Sequence, residues 1–153
     1  MPYSPWCAAS AVAYPQREAL KPERPARGAA IERFDEAAQA LRWLGEESAA
    51  LPALLAEAAE LGLHKHCWQL TWGFAEFMQR RGLWRQTLRA QAVALAAAER
   101  LRDRLAQALC HNSIARAHAK LGRDHQAIEH YDQALELHRG LNEPACTHMS
   151  IWG

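Results

Sequence analysis

An internal repeat of about 40 residues constrains the fold of this chain more than any other feature. A shift of 40 positions aligns the following residues: Gly82 with Gly122, Ala75 with Ala115, and Ala94-Leu95 with Ala134-Leu135. A second match, at a shift of 37, lays Thr147 to Ile151 on Cys110 to Ile114, and three of the five residues are identical. A fixed period near 40 with two helices in each period is typical of helical solenoids, in which each repeat packs on its neighbours.

Helical periodicity predicts six helices, at about 35–44, 51–61, 64–81, 83–101, 104–121 and 124–139. All but the fourth are followed at once by a glycine, at positions 45, 62, 82, 122 and 140. Glycine suits a helix end because the left-handed conformation costs it little. The chain also has 32 alanines and 19 leucines against nine Val, Ile and Thr residues, which disfavours a sheet. We therefore predict an all-α fold of antiparallel helix pairs.

The proline distribution predicts two parts. Five of the seven prolines precede residue 34, so residues 1–33 are predicted to form an extended or loosely ordered arm. Residues 34–153 are predicted to form the helical domain, with a last repeat that opens near Pro144 and is truncated before its second helix. Apolar residues of this open end, Met149, Ile151 and Trp152, would then lack a cover, which predicts self-association through it.

The stretch from Ile114 to Leu137 resembles a tetratricopeptide repeat. Its expected packing residues are Ile114, Ala115, Gly122, Ala127, Tyr131 and Ala134, and the upstream copy supplies Ala75, Gly82, Trp84 and Ala94. His111 and His118 stand where the repeat usually carries large aromatic residues. The resemblance implies a right-handed solenoid whose concave face, formed by the first helix of each repeat, binds peptides.

A wider resemblance rests on the order of several motifs along the chain. They are Tyr14-Pro15-Gln16-Arg17-Glu18, Ala40-Leu41-Arg42-Trp43-Leu44-Gly45-Glu46-Glu47, Gly62-Leu63-His64, Trp68-Gln69-Leu70, Arg80-Arg81-Gly82-Leu83-Trp84 and Ala97-Ala98-Glu99-Arg100-Leu101. This order is similar to the region that joins the nucleotide-binding module to the repeats in bacterial antibiotic-regulatory (SARP-type) and related NB-ARC transcriptional regulators. The resemblance implies a protein–protein interaction or sensing segment of a signalling or transcriptional regulator, without catalytic activity. The alternative is a stand-alone helical adaptor that binds acidic peptide segments.

One polar stripe suits a peptide-binding groove. Asn112, Arg116 and Lys120 recur at i, i+4 and i+8 on the first helix of the clearest repeat. Two cations and an amide in such a groove would suit an acidic segment or a terminal carboxylate. The alternative is an ordinary solvated helix face.

Charge is balanced overall at +1 but is unevenly distributed. Residues 32–60 carry a net charge of −5 and residues 80–104 a net charge of +5, with Arg81, Arg85 and Arg89 on one helical face. This arginine stripe could contact nucleic-acid phosphates, but the negative charge of residues 32–60 and the positive charge of residues 80–104 cancel within the chain. We therefore favour opposite charges paired between successive layers, and no direct contact with nucleic acid.

No pattern of a catalytic, cofactor or metal site occurs in the sequence. There is no phosphate-binding G-x-x-x-x-G-K-[ST] loop, and His111 and His118 could share a face but lack a third ligand at a suitable spacing. The four cysteines form no C-x-x-C pair, which favours free thiols in a reducing cytoplasm. No apolar run approaches the roughly 20 residues that span a bilayer. We therefore predict a cytoplasmic protein with no enzyme activity, cofactor, metal or membrane partner.

Overall fold

The structure, a computed structural model, describes residues 35–141. The predicted arm (1–33) and the predicted open repeat with Met149, Ile151 and Trp152 lie outside the described residues. The described part contains these helices: α1 (Ala37–Glu47), a 3₁₀-helix (Ser48–Ala50), α2 (Leu51–Glu60), α3 (His64–Arg80), α4 (Trp84–Arg100), α5 (Arg104–Lys120) and α6 (Asp124–Leu141). No strand occurs between residues 35 and 141, so the predicted all-α class is confirmed for this part. None of these helices is long and apolar enough to cross a membrane.

The four turns from α2 to α6 share one geometry and recur every 20 residues. Their central residues, with positive φ, are Gly62 (69°), Gly82 (69°), Arg102 (54°) and Gly122 (72°). In each turn the next residue donates a backbone hydrogen bond of 2.8–3.1 Å to the carbonyl five positions earlier, as Leu83 does to Met78. This is the Schellman ending of a helix.

The third of these turns places an arginine in the left-handed conformation. Because this turn contains no glycine, the spacing of the glycines does not predict it. The helix boundary there nevertheless matches the one predicted from helical periodicity. The side chain of Asp103 accepts a hydrogen bond of 3.0 Å from the backbone N–H of Ala106, and so caps the start of α5. The cap offsets part of the cost of the left-handed arginine.

Two predicted helix stops are wrong, because Gly45 lies inside α1 and Gly140 lies inside the last turn of α6. Glycine permits a left-handed ending but does not impose one. In α1 the helix continues through Gly45 to Glu47, and the neighbouring Leu44 is fully buried. At Gly140 the guanidinium of Arg104 lies where a Cβ atom would stand, so the glycine leaves room for that side chain.

Consecutive helices pack against each other from α2 to α6, and helices two positions apart also touch: α1 with α3, α2 with α4, and α3 with α5. The largest fully buried side chains are Phe74, Leu44, Leu51 and Met78. In α5 and α6 most of the buried residues are small, such as Ala108, Ala115 and Ala127.

The residues expected to pack between repeats are largely buried. Six of them are at most 5% exposed: Ala75, Ala94, Ile114, Ala115, Ala127 and Ala134. Trp84 and Tyr131 are half-buried, while Gly82 and Gly122 lie in exposed turns. The small residues face the interior of the helical array, as packing between close helices requires.

Candidate functional site

Arg116 lies at the contact between α3 and α5. Its Nη1 donates a hydrogen bond of 2.7 Å to Oε1 of Gln79, while its Nε is enclosed and has no hydrogen-bond partner in the structure. Gln79 stands near the end of α3 and Arg116 near the end of α5. The bond therefore joins α3 to α5 and restricts the orientation of the guanidinium.

The other two residues of the predicted stripe have different environments. Asn112 is only 9% exposed, so it offers little surface to a ligand. Lys120 is the last residue of α5 and is exposed. Of the predicted stripe, Arg116 and Lys120 thus supply the accessible charge.

The matching face of α3 carries different chemistry. Trp72 stacks on Trp68 with ring centroids 5.8 Å apart and planes inclined by 17°. One turn later, Nε of Arg80 donates a hydrogen bond of 2.8 Å to Oε1 of Glu76. Since Glu76 offsets the charge of Arg80, the positive charge of this two-helix surface comes mainly from α5.

A cluster of three histidines joins α5 to α6. Nδ1 of His111 and Nδ1 of His130 are 2.9 Å apart, at hydrogen-bond distance. The ring of His118 stacks on that of His130 with centroids 5.6 Å apart. A hydrogen bond between two imidazole nitrogens needs one N–H donor and one free lone pair, which two neutral rings with suitable tautomers supply.

The environment of this cluster disfavours protonation. Burial lowers the pKa of His111, and His130 lowers it further. Burial and the charge of Arg123 lower the pKa of His118. Burial and His118 lower the pKa of His130, although Glu129 acts in the opposite direction. The cluster is therefore uncharged at neutral pH.

The sequence spacing predicted that His111 and His118 share one face of a helix, but it did not indicate that His130 lies beside them. The three residues meet only because α6 folds back antiparallel to α5, which brings residue 130 beside both. Within residues 35–141, no three or more His, Cys, Asp or Glu side chains are arranged to hold a metal ion.

The two described cysteines are buried free thiols. Burial, together with the charges of Asp103 and Glu99, raises the pKa of Cys110 to about 12. Burial also raises the pKa of Cys67. Because the thiolate is the reactive form, neither side chain is placed to act as a nucleophile.

Comparisons with models of known protein families, with curated proteins and with solved structures give no match to this chain.

Proposed function

We propose that this chain is a right-handed, tetratricopeptide-like stack of helix pairs that mediates protein–protein interaction. It would serve as a sensing or assembly segment of a signalling or transcriptional regulator and have no catalytic activity of its own. The identical turns at 20-residue spacing and the contacts between helices two apart support the stacked arrangement. The resemblance to regulator repeats supports the regulatory role.

The proposed binding surface is the side of α3 and α5 that carries Arg116 and Lys120. The single observation that carries this proposal is the 2.7 Å bond from Arg116 to Gln79, because it holds a cation at the contact between α3 and α5, the first helices of the two proposed repeats. A side chain already held in its binding geometry loses less conformational entropy when a ligand arrives. Lys120, one turn further on, adds a second cation on the same helix face.

An acidic, extended peptide segment suits this surface. Guanidinium and ammonium groups form their strongest hydrogen bonds with carboxylates. A stand-alone adaptor would bind such a segment through the same residues, so the chemistry of the peptide does not depend on the regulatory role.

The test is binding of fluorescently labelled peptides to the full chain, followed by anisotropy. An array of extended peptides with graded net charge provides the probes, and we expect affinity to rise with the number of Asp and Glu residues. Arg116→Gln and Lys120→Gln should each weaken binding of the best acidic peptide by about tenfold, since a charged hydrogen bond contributes roughly 1.5–3 kcal/mol. The matched control, Arg42→Gln with Arg100→Gln, removes two exposed cations elsewhere and should leave affinity nearly unchanged.

Two results would contradict the proposed function. One is equal affinity for acidic and basic peptides. The other is a loss of affinity in the control variant as large as that in Arg116→Gln, since this would indicate only a general attraction between net charges.

A further inference from the structure

An apolar cavity of about 720 Å³ opens between α2 and α4, on residues that the α3–α5 surface does not use. Its walls include Leu51 and Leu55 of α2, Leu83 and Trp84 at the start of α4, and Leu121 from the turn before α6. Leu51 and Leu55 are at most 3% exposed and belong to the core. The volume falls within the roughly 300–1,000 Å³ that is usual for small-molecule sites.

The wall of this cavity also contains two arginines, Arg85 and Arg89, and no other charged residue. They lie one turn apart on α4, both exposed. Among the hydrogen bonds and ion pairs of the described residues, neither guanidinium has a partner. By contrast, Arg80 is paired with Glu76 and Arg116 with Gln79.

Two unpaired like charges at i and i+4 repel each other. An anion bound between them would remove this repulsion, and the adjacent apolar walls would take up a hydrocarbon chain. Arg81, the third member of the arginine stripe, lies over the ring of Phe77 at 5.5 Å from its centroid and does not line the cavity. The arginines are therefore associated with an apolar cavity rather than with a continuous track for nucleic-acid phosphates.

We propose that this cavity binds a single-chain amphiphile with an anionic head group, of the class of the long-chain carboxylates. The chain lies against Leu83, Trp84 and Leu121, and the carboxylate is held between Arg85 and Arg89. Guanidinium groups bind carboxylates with short, strong hydrogen bonds, while burial of the hydrocarbon removes apolar surface from water. This site is separate from the proposed peptide surface, and either could exist without the other.

The test uses the full chain and decanoate below its micelle-forming concentration, with ¹H–¹⁵N NMR of the tryptophan indoles as the readout. The indole signal of Trp84 is assigned by its disappearance in Trp84→Phe. Decanoate should shift this signal in a saturable way, and Arg85→Gln with Arg89→Gln should weaken its binding about tenfold or more. Arg42→Gln with Arg100→Gln, which removes the same charge outside the cavity, should bind decanoate as the wild type does.

Ligands with the same chain and other head groups identify the class. Decanol should bind more weakly than decanoate to the wild type, and equally to the wild type and the double arginine variant. Decyltrimethylammonium should bind more weakly still. The proposal is overturned if decanoate leaves the Trp84 indole signal unmoved, or if the arginine variant retains wild-type affinity. Tighter binding of decyl phosphate than of decanoate would overturn the assignment of a carboxylate head group.

Discussion

Acidification should destabilise the packing of α6 on α5 through the cluster formed by His111, His118 and His130. In the folded chain burial lowers the pKa of each ring, whereas the unfolded chain exposes the rings to water with an ordinary pKa near 6.5. Below that pH the unfolded state binds more protons than the folded state. The stabilisation is therefore complete above pH 6.5 and is lost as pH falls from there towards the lower pKa values of the folded state.

The size of the effect follows from proton linkage. A histidine that is protonated only in the unfolded state contributes at most about 1.4 kcal/mol for each pH unit, so three contribute at most about 4 kcal/mol. The rings are partly exposed, and solvent screening reduces this figure. We therefore expect the free energy of unfolding to fall by about 1–2 kcal/mol between pH 6.5 and pH 5.5. For a domain of roughly 100 residues that corresponds to a fall in melting temperature of about 4–9 °C.

Urea unfolding at pH 7.5, 6.5 and 5.5, followed by far-UV circular dichroism, measures this loss. The variant His118→Phe with His130→Phe keeps two aromatic rings in place but removes two titrating groups, and should show a much flatter pH dependence. His125→Gln, which removes an exposed histidine of α6, is the matched control and should keep the wild-type slope. An identical slope in the double variant, or a wild-type stability that does not fall on acidification, would refute the role of the cluster.

Three further predictions concern stability and reactivity. Arg102→Gly should raise the free energy of unfolding by about 1 kcal/mol because it relieves a left-handed non-glycine residue, and Gly82→Ala should lower it by a similar amount; unchanged urea midpoints would contradict this. Phe74→Ala should lower the free energy of unfolding by about 3–5 kcal/mol in the same assay, because Phe74 is fully buried in the core. A loss below about 1 kcal/mol would argue against that packing. Cys67 and Cys110 should react with a thiol-specific chromogenic reagent only after urea unfolding, and rapid labelling of either in the native chain would contradict their burial.

Local sequence signals predicted the helices well where short-range chemistry governs them. The glycines at 62, 82 and 122 mark three helix ends, because a left-handed residue is required there and glycine adopts it most easily. The same rule failed at Gly45 and Gly140, which lie inside α1 and α6, because glycine permits a left-handed ending without imposing one. Of the predicted groove residues, the sequence placed Asn112, Arg116 and Lys120 on one helix but did not reveal that Asn112 is buried.

The sequence by itself determined the all-α class of residues 35–141 and the helix boundaries there to within a few residues, because composition, hydrophobic spacing and turn residues act over short distances along the chain. Only the tertiary structure decided which side chains of separate helices meet. Gln79 meets Arg116 across 37 positions, His130 meets His111 across 19, and Leu121 reaches the cavity beside Arg85. No local pattern encodes such contacts, because they depend on how the surfaces of separate helices pack against one another.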